Sequence, residues 1–176
     1  MKHLKTYKIF ESNNSRDILL NYFISNLKVN DINVKIFDGL PGEMGLLKNG
    51  KNIGSVRITT YDDWVNMEMI DLSPEFQRQG NGMIIYQALF DAAIKMGYSG
   101  LVSLAFDHSG TGQQRSPAAT ELLGKLIKKH GGRILDVSDH VEQDYIDTYS
   151  GQDGFYGPPY EDFYIDGSSI VKREKV

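Results

Sequence analysis

From Leu4 to Phe10 apolar and polar residues alternate with the two-residue period of a strand that buries one face. Ser15-Arg16-Asp17 then offers helix-capping chemistry, and Ile18, Leu19, Tyr22, Phe23 and Leu27 recur at helical spacing. After Asn30-Asp31, Val34-Lys35-Ile36-Phe37 reads as a short strand. The segments Glu43 to Lys48 and Ile53 to Thr60 flank Asn49-Gly50, a strong hairpin signal. Trp64 to Leu72 alternates again, with Val65, Met67, Met69 and Asp71 set against Trp64, Asn66, Glu68, Ile70 and Leu72. Several antiparallel strands in succession are predicted.

The period then changes. From Gly82 the run Met83 to Met96 carries a wide apolar stripe at helical spacing and stops at Gly97, as a glycine cap would have it. Leu101 to Phe106 is short, apolar and uninterrupted, which predicts a central buried strand. A polar loop, Asp107 to Arg115, leads to Ser116-Pro117, serine as N-cap and proline at the first helical position. Leu122, Leu123, Leu126 and Ile127 give that second helix its apolar face, and Gly131-Gly132 ends it. Arg133 to Val137 and Phe163-Tyr164-Ile165 read as strands, with a frayed end over 170–176. No repeat and no linker divides the sequence. A single domain over 1–176 is predicted, with an acidic, tyrosine-rich insertion at 139–160.

Composition narrows the chemistry. The 176 residues include no cysteine, which excludes disulfides, thiolate metal sites and a cysteine nucleophile. His3, His130 and His140 show no metal-ligand spacing, so no metal is expected. No apolar stretch is long enough to span a membrane, and the basic N-terminus has no apolar run behind it. A cytoplasmic protein with no membrane partner is the expectation. The net charge of −4 argues against nucleic acid and suits a cationic partner such as a protonated amine.

One turn concentrates the candidate chemistry. Gln77-Arg78-Gln79-Gly80-Asn81-Gly82 stands between a strand and a long helix. A helix N-terminus presents unsatisfied N–H groups and the positive end of its dipole, and so suits a phosphate. Gly80 and Gly82 remove Cβ atoms where a diphosphate would touch backbone, while Gln77, Arg78 and Gln79 add side-chain donors. The same two glycines also suit a tight strand-to-helix turn with no ligand. Other phosphate motifs fit badly. A dinucleotide fingerprint wants glycine where Ile85 stands, and Gly110 to Ser116 lacks the lysine of a P-loop.

Leu72-Ser73-Pro74-Glu75-Phe76-Gln77-Arg78-Gln79-Gly80-Asn81-Gly82 resembles motif A of the GNAT superfamily (Gcn5-related N-acetyltransferases), whose pattern is Gln/Arg-x-x-Gly-x-Gly/Ala. Ser116-Pro117-Ala118-Ala119-Thr120-Glu121-Leu122-Leu123 resembles its motif B, usually Asn-x-x-Ala-x-x-x-Tyr. The resemblance spans roughly Ile53 to Gly132. It implies an α/β fold (α+β) in which a mixed, mostly antiparallel central sheet, splayed between its fourth and fifth strands, is flanked by helices. It implies acetyl-coenzyme A as cofactor. The backbone of Arg78, Gln79, Gly80, Asn81, Gly82 and Met83 would hold the pyrophosphate, beside Gln77. Pantetheine would lie along Ile70 and Leu72 on one side and near Ala105 on the other. Ser116 would replace the family's cofactor-contacting asparagine. The departure at Leu123 removes a tyrosine that often protonates the departing thiolate.

An amine must be neutral to attack a thioester, yet a lysine-like amine has a pKa of about 10.4 in water. Some group must therefore take a proton. Glu68 is the first candidate, since the family frequently places a glutamate on this strand; it could equally be a solvent-facing or ion-paired strand residue. His108 follows the buried strand and has an intrinsic pKa suited to proton transfer, or is a polar loop residue. Tyr149 or Tyr156 could replace the missing acid. The acidic connection from Asp139 onward, with Tyr145, Tyr149, Phe155, Tyr156 and Tyr160, would receive a cationic amine by charge and cation–π contact, or would be a solvated loop.

The function that follows is acetyl transfer from acetyl-CoA to a primary amine of a small molecule or protein, directly in a ternary complex. The competing reading is a GNAT-fold module that binds acyl-CoA or a partner without turnover, which the leucine at 123 favours. A homodimer is left open.

Overall fold

The computed structural model describes residues 13–37, 42–105, 115–140 and 160–175. They group into two compact units, Met1–Leu101 and Val102–Val176. The class is mixed α/β, with mostly antiparallel strand pairs and helices, as the changing period predicts. The strand expected at Leu4 to Phe10 lies outside the described residues.

The first unit opens with helix α1 (Asn13–Lys28). Ser15, expected near the helix cap, instead lies inside the first turn and is buried. Strands β1 (Ile32–Ile36), β2 (Glu43–Lys48), β3 (Lys51–Tyr61) and β4 (Trp64–Leu72) follow, each antiparallel to the next. The hairpin between β2 and β3 is tighter than the pattern predicts. Asn49 and Gly50 both take positive φ, 52° and 74°, so a two-residue turn pairs Lys48 directly with Lys51. β3 therefore begins two residues before Ile53, the start expected from the pattern. Between β3 and β4 the register shifts: Arg57 opposes Met69 and Ile58 opposes Met67, leaving Glu68 as the extra residue of a bulge.

Helix α2 (Asn81–Lys95) packs on α1. Leu19, Phe23 and Leu27 of α1 and Ile85, Leu89, Ala92 and Ala93 of α2 are all buried, the apolar stripes that the helical period predicts. Asn26 Nδ2 donates to the Ala88 carbonyl at 3.0 Å across this interface. At the far end Gly97, with φ of 83°, lets the Tyr98 N–H return to the Ala93 carbonyl.

Strand β5 (Gly100–Ser103) is buried along its whole length and straddles the division between the units. In the second unit, helix α3 (Pro117–His130) starts as predicted: Ser116 Oγ accepts the Ala119 N–H at 3.2 Å. β6 (Gly132–Asp136) pairs antiparallel with β7 (Glu161–Ile165). The residues expected to fray form a strand, β8 (Val171–Lys175), parallel to β6. That expectation is corrected by pairing: β6 offers a second edge, and Arg173–Glu161 and Lys175–Asp139 contacts of 2.9 Å tie the charged side chains down. Asp136 accepts the Ser138 N–H at 3.0 Å just beyond β6, and the hydroxyl of Ser138 leads in holding its carboxyl below the usual carboxylate range.

A second-unit arginine organises the approach to α3. Arg115 Nη1 donates to the Ser103 carbonyl at 2.9 Å and to Ser103 Oγ at 3.0 Å, Nη2 donates to the Glu161 carbonyl, and the guanidinium lies 4.7 Å from the Phe163 ring. Among the described residues no helix is long and apolar enough to cross a membrane.

Candidate diphosphate site

The turn that leaves β4 is built by its own side chains. Ser73 N–H donates to the Ile53 carbonyl, which keeps the chain on β3 for one residue past β4. Pro74–Phe76 forms a single 3₁₀ turn. Gln77 is extended and its Nε2 donates back to the Leu72 carbonyl at 2.7 Å; Gln79 Nε2 donates to the Glu75 carbonyl. Both glutamine amides are thus already engaged in shaping the turn. Arg78 takes a left-handed backbone, φ 58°, and its side chain is exposed.

Gly80 is the N-cap of α2, at φ 80° and ψ −4°. A side chain there would carry the strain of the left-handed region, and apart from its own chain neighbours nothing lies within 4 Å of where its Cβ would stand. The ledge is open. No side chain caps α2, and the first turn is closed by Ile84 N–H to the Gly80 carbonyl at 3.1 Å. Among the described residues the N–H groups of Arg78, Gln79, Gly80, Asn81, Gly82 and Met83 meet no acceptor. Six unsatisfied donors around a helix head are what a diphosphate fits.

Asn81 is only 1% exposed, and both ends of its amide are used. Nδ2 donates to the Phe76 carbonyl at 2.9 Å, and Oδ1 accepts Lys48 Nζ at 3.0 Å. The sequence reading placed Asn81 here for its backbone alone and missed Lys48 entirely. Only the register of the β2–β3 hairpin brings that lysine to the helix head.

Glu68 sits in the β4 bulge, where its carboxylate lies 3.6 Å from Arg57 Nη1. Arg57 Nη2 meets Glu43 Oε2 at 2.7 Å, and this hydrogen bond leads in raising the guanidinium above its ordinary value. Glu68 is therefore the junior partner of an ion-paired row, with the Glu68 side chain 25% exposed against 16% for Glu43. Ile70 and Leu72, opposite Val56 and Gly54, are half-buried, as is Met83. In the second unit the hydroxyl of Ser116 is occupied as a helix cap, and Leu123 is wholly buried. His108, Tyr149 and Tyr156 lie outside the described residues. Of the acidic connection, Asp139 is ion-paired with Lys175 and Tyr160 is buried. Among the described residues no group of three or more His, Asp or Glu could hold a metal ion.

The sequence matches the acetyltransferase (GNAT) family over residues 26–116, just over half of the chain. The chain belongs to the GNAT family. The matched span holds β1 to β5, the turn with its open ledge at Gly80, and α2. Similar solved structures include acetyltransferases from three bacteria. The ribosomal-protein-S18-alanine N-acetyltransferase of Escherichia coli is 20% identical over 64% of this chain and 71% of its own, at a TM-score of 0.39. A GNAT family acetyltransferase from Elizabethkingia anophelis with acetyl-CoA bound is 17% identical over 87% and 88%, at 0.41. A candidate streptothricin acetyltransferase from Bacillus anthracis str. Ames, in complex with acetyl coenzyme A, is 15% identical at 0.38; the match takes in 47% of this chain and 44% of that one. No curated protein matches the sequence.

Proposed function

We propose that this GNAT protein is an N-acetyltransferase that takes its acetyl group from acetyl-CoA and passes it directly to a primary amine of a small molecule or protein, the whole chain working as one domain. One observation carries the reading: the row of free N–H groups from Arg78 to Met83, over a glycine whose missing side chain leaves the ledge open. The coenzyme's diphosphate would rest there, with Ile70 and Leu72 leading the pantetheine arm away along β4. In the reaction the amine nitrogen bonds to the acetyl carbon, the C–S bond breaks, and coenzyme A leaves as the thiol once the amine's proton is returned to sulfur. Glu68 is the proposed acceptor of that proton, directly or through water, because it is the ionisable side chain that the β4 bulge presents. Its carboxylate stands 3.6 Å from Arg57 Nη1, which fixes where that side chain sits on the strand.

The fully buried Leu123 favours a second reading, a protein that binds acyl-CoA without turning it over, because no proton donor stands at that position. One pair of measurements separates them. Calorimetry with acetyl-CoA should give saturable binding under both readings, and thiol release against a panel of polyamines, amino acids and peptides should appear only under the first. Absence of acetyl-CoA binding would remove both. In the active protein Glu68→Gln should lower kcat by about a hundredfold, within the range for a lost general base, with little change in acetyl-CoA affinity.

A further inference from the structure

Lys48 and Lys51 face each other across the last rung of the β2–β3 hairpin. Like charges directly opposite destabilise such a pair, so something must offset the cost. Lys48 turns away to the head of α2, but its partner there is the neutral amide of Asn81, at 3.0 Å. Among the described residues Lys48 meets no carboxylate. The ammonium therefore stands half-buried at the helix head, with no carboxylate among the described residues set against it. Asn81, for its part, spends its two amide ends on Lys48 and on the Phe76 carbonyl, so that one buried side chain joins β2, the close of the 3₁₀ turn and the first residue of α2.

We infer that Lys48 is a positioning residue for the anionic ligand of this turn: it holds Asn81 in place, Asn81 holds the Phe76–Asn81 turn, and the uncompensated ammonium adds a cation at the ledge. This rests on the diphosphate reading above. The consequence is specific to charge as well as to shape. A lysine engaged only in packing would be replaceable by any side chain of its length. A lysine that biases the ledge toward an anion is replaceable only by arginine.

The test compares wild type, Lys48→Met and Lys48→Arg by calorimetry with coenzyme A at low and high salt, and by amide hydrogen exchange without ligand. Lys48→Met should weaken coenzyme A binding about tenfold, the factor expected for loss of one charge-assisted contact. It should flatten the salt dependence and quicken exchange at Phe76, Gln77 and Ile84, the amides whose hydrogen bonds close the turn. Lys48→Arg should recover most of the affinity and the salt slope. If wild type binds and Lys48→Met binds within about twofold of it, the inference is overturned while the diphosphate reading stands. Equal loss in both variants would also overturn it, since charge would then be irrelevant. If wild type binds no coenzyme A, the diphosphate reading falls, and unchanged exchange in Lys48→Met would overturn the positioning role as well.

Discussion

Gly80 offers a clean perturbation because shape and charge can be varied there separately. Gly80→Ala and Gly80→Glu both place a Cβ at φ 80°, and both pay the same left-handed backbone strain, about 1 kcal/mol. In a chain of this size that lowers Tm by about 2–4 °C. Neither meets a steric wall, since apart from its own chain neighbours nothing lies within 4 Å of the new Cβ. The glutamate alone can swing a carboxylate over the ledge. At about 5 Å from a diphosphate charge, with an effective dielectric of about 20, it opposes binding by about 3 kcal/mol, more than a hundredfold in Kd. Calorimetry with acetyl-CoA, alongside thermal melts, reads both terms. Gly80→Ala should bind within about tenfold of wild type and Gly80→Glu should show no measurable binding, at matching Tm. Equal affinity in the two variants would refute the placement of the diphosphate, because a charge set into an anion site cannot be neutral.

Leu123 is fully buried in α3, so Leu123→Ala should cost about 3 kcal/mol in urea unfolding. Leu123→Tyr should destabilise by about 2 kcal/mol through overpacking and give no gain in kcat; a stable, faster enzyme would show that this position reaches the reacting sulfur after all. Asp136, whose pKa is lowered by Ser138, binds fewer protons folded than unfolded between its two pKa values. Its contribution is thus present above the ordinary carboxylate value and lost as pH falls through the folded one. Urea midpoints measured across acid pH should fall more steeply in wild type than in Asp136→Asn, and parallel curves would remove the effect.

Local chemistry was legible and long-range partnership was not. Asn49-Gly50 announced its hairpin because both residues tolerate positive φ. Gly80 and Gly97 marked the two ends of α2 because side chains are strained there, and Ser116-Pro117 announced α3 by capping. In each case the cause lies within a few residues of the effect. The β4 bulge at Glu68 left no trace in the alternation, since it arises from the pairing with β3 and only then sets Glu68 beside Arg57. Lys48 and Asn81 are 33 positions apart, and only strand register joins them. β8 was missed for a related reason. A run of charged residues looks like a solvated end until the neighbouring edge that receives it is known.

That last strand has a practical bearing. All five residues of β8 are exposed, and four carry charge, which is how sheets discourage stray chains from zipping onto their flank. Trimming the protein after Asp166 would strip this guard and lay open the backbone seam of Gly132–Asp136, with apolar Ile134 beside it. Shortened versions should therefore self-associate, and crystallisation screens would do better to keep the charged strand.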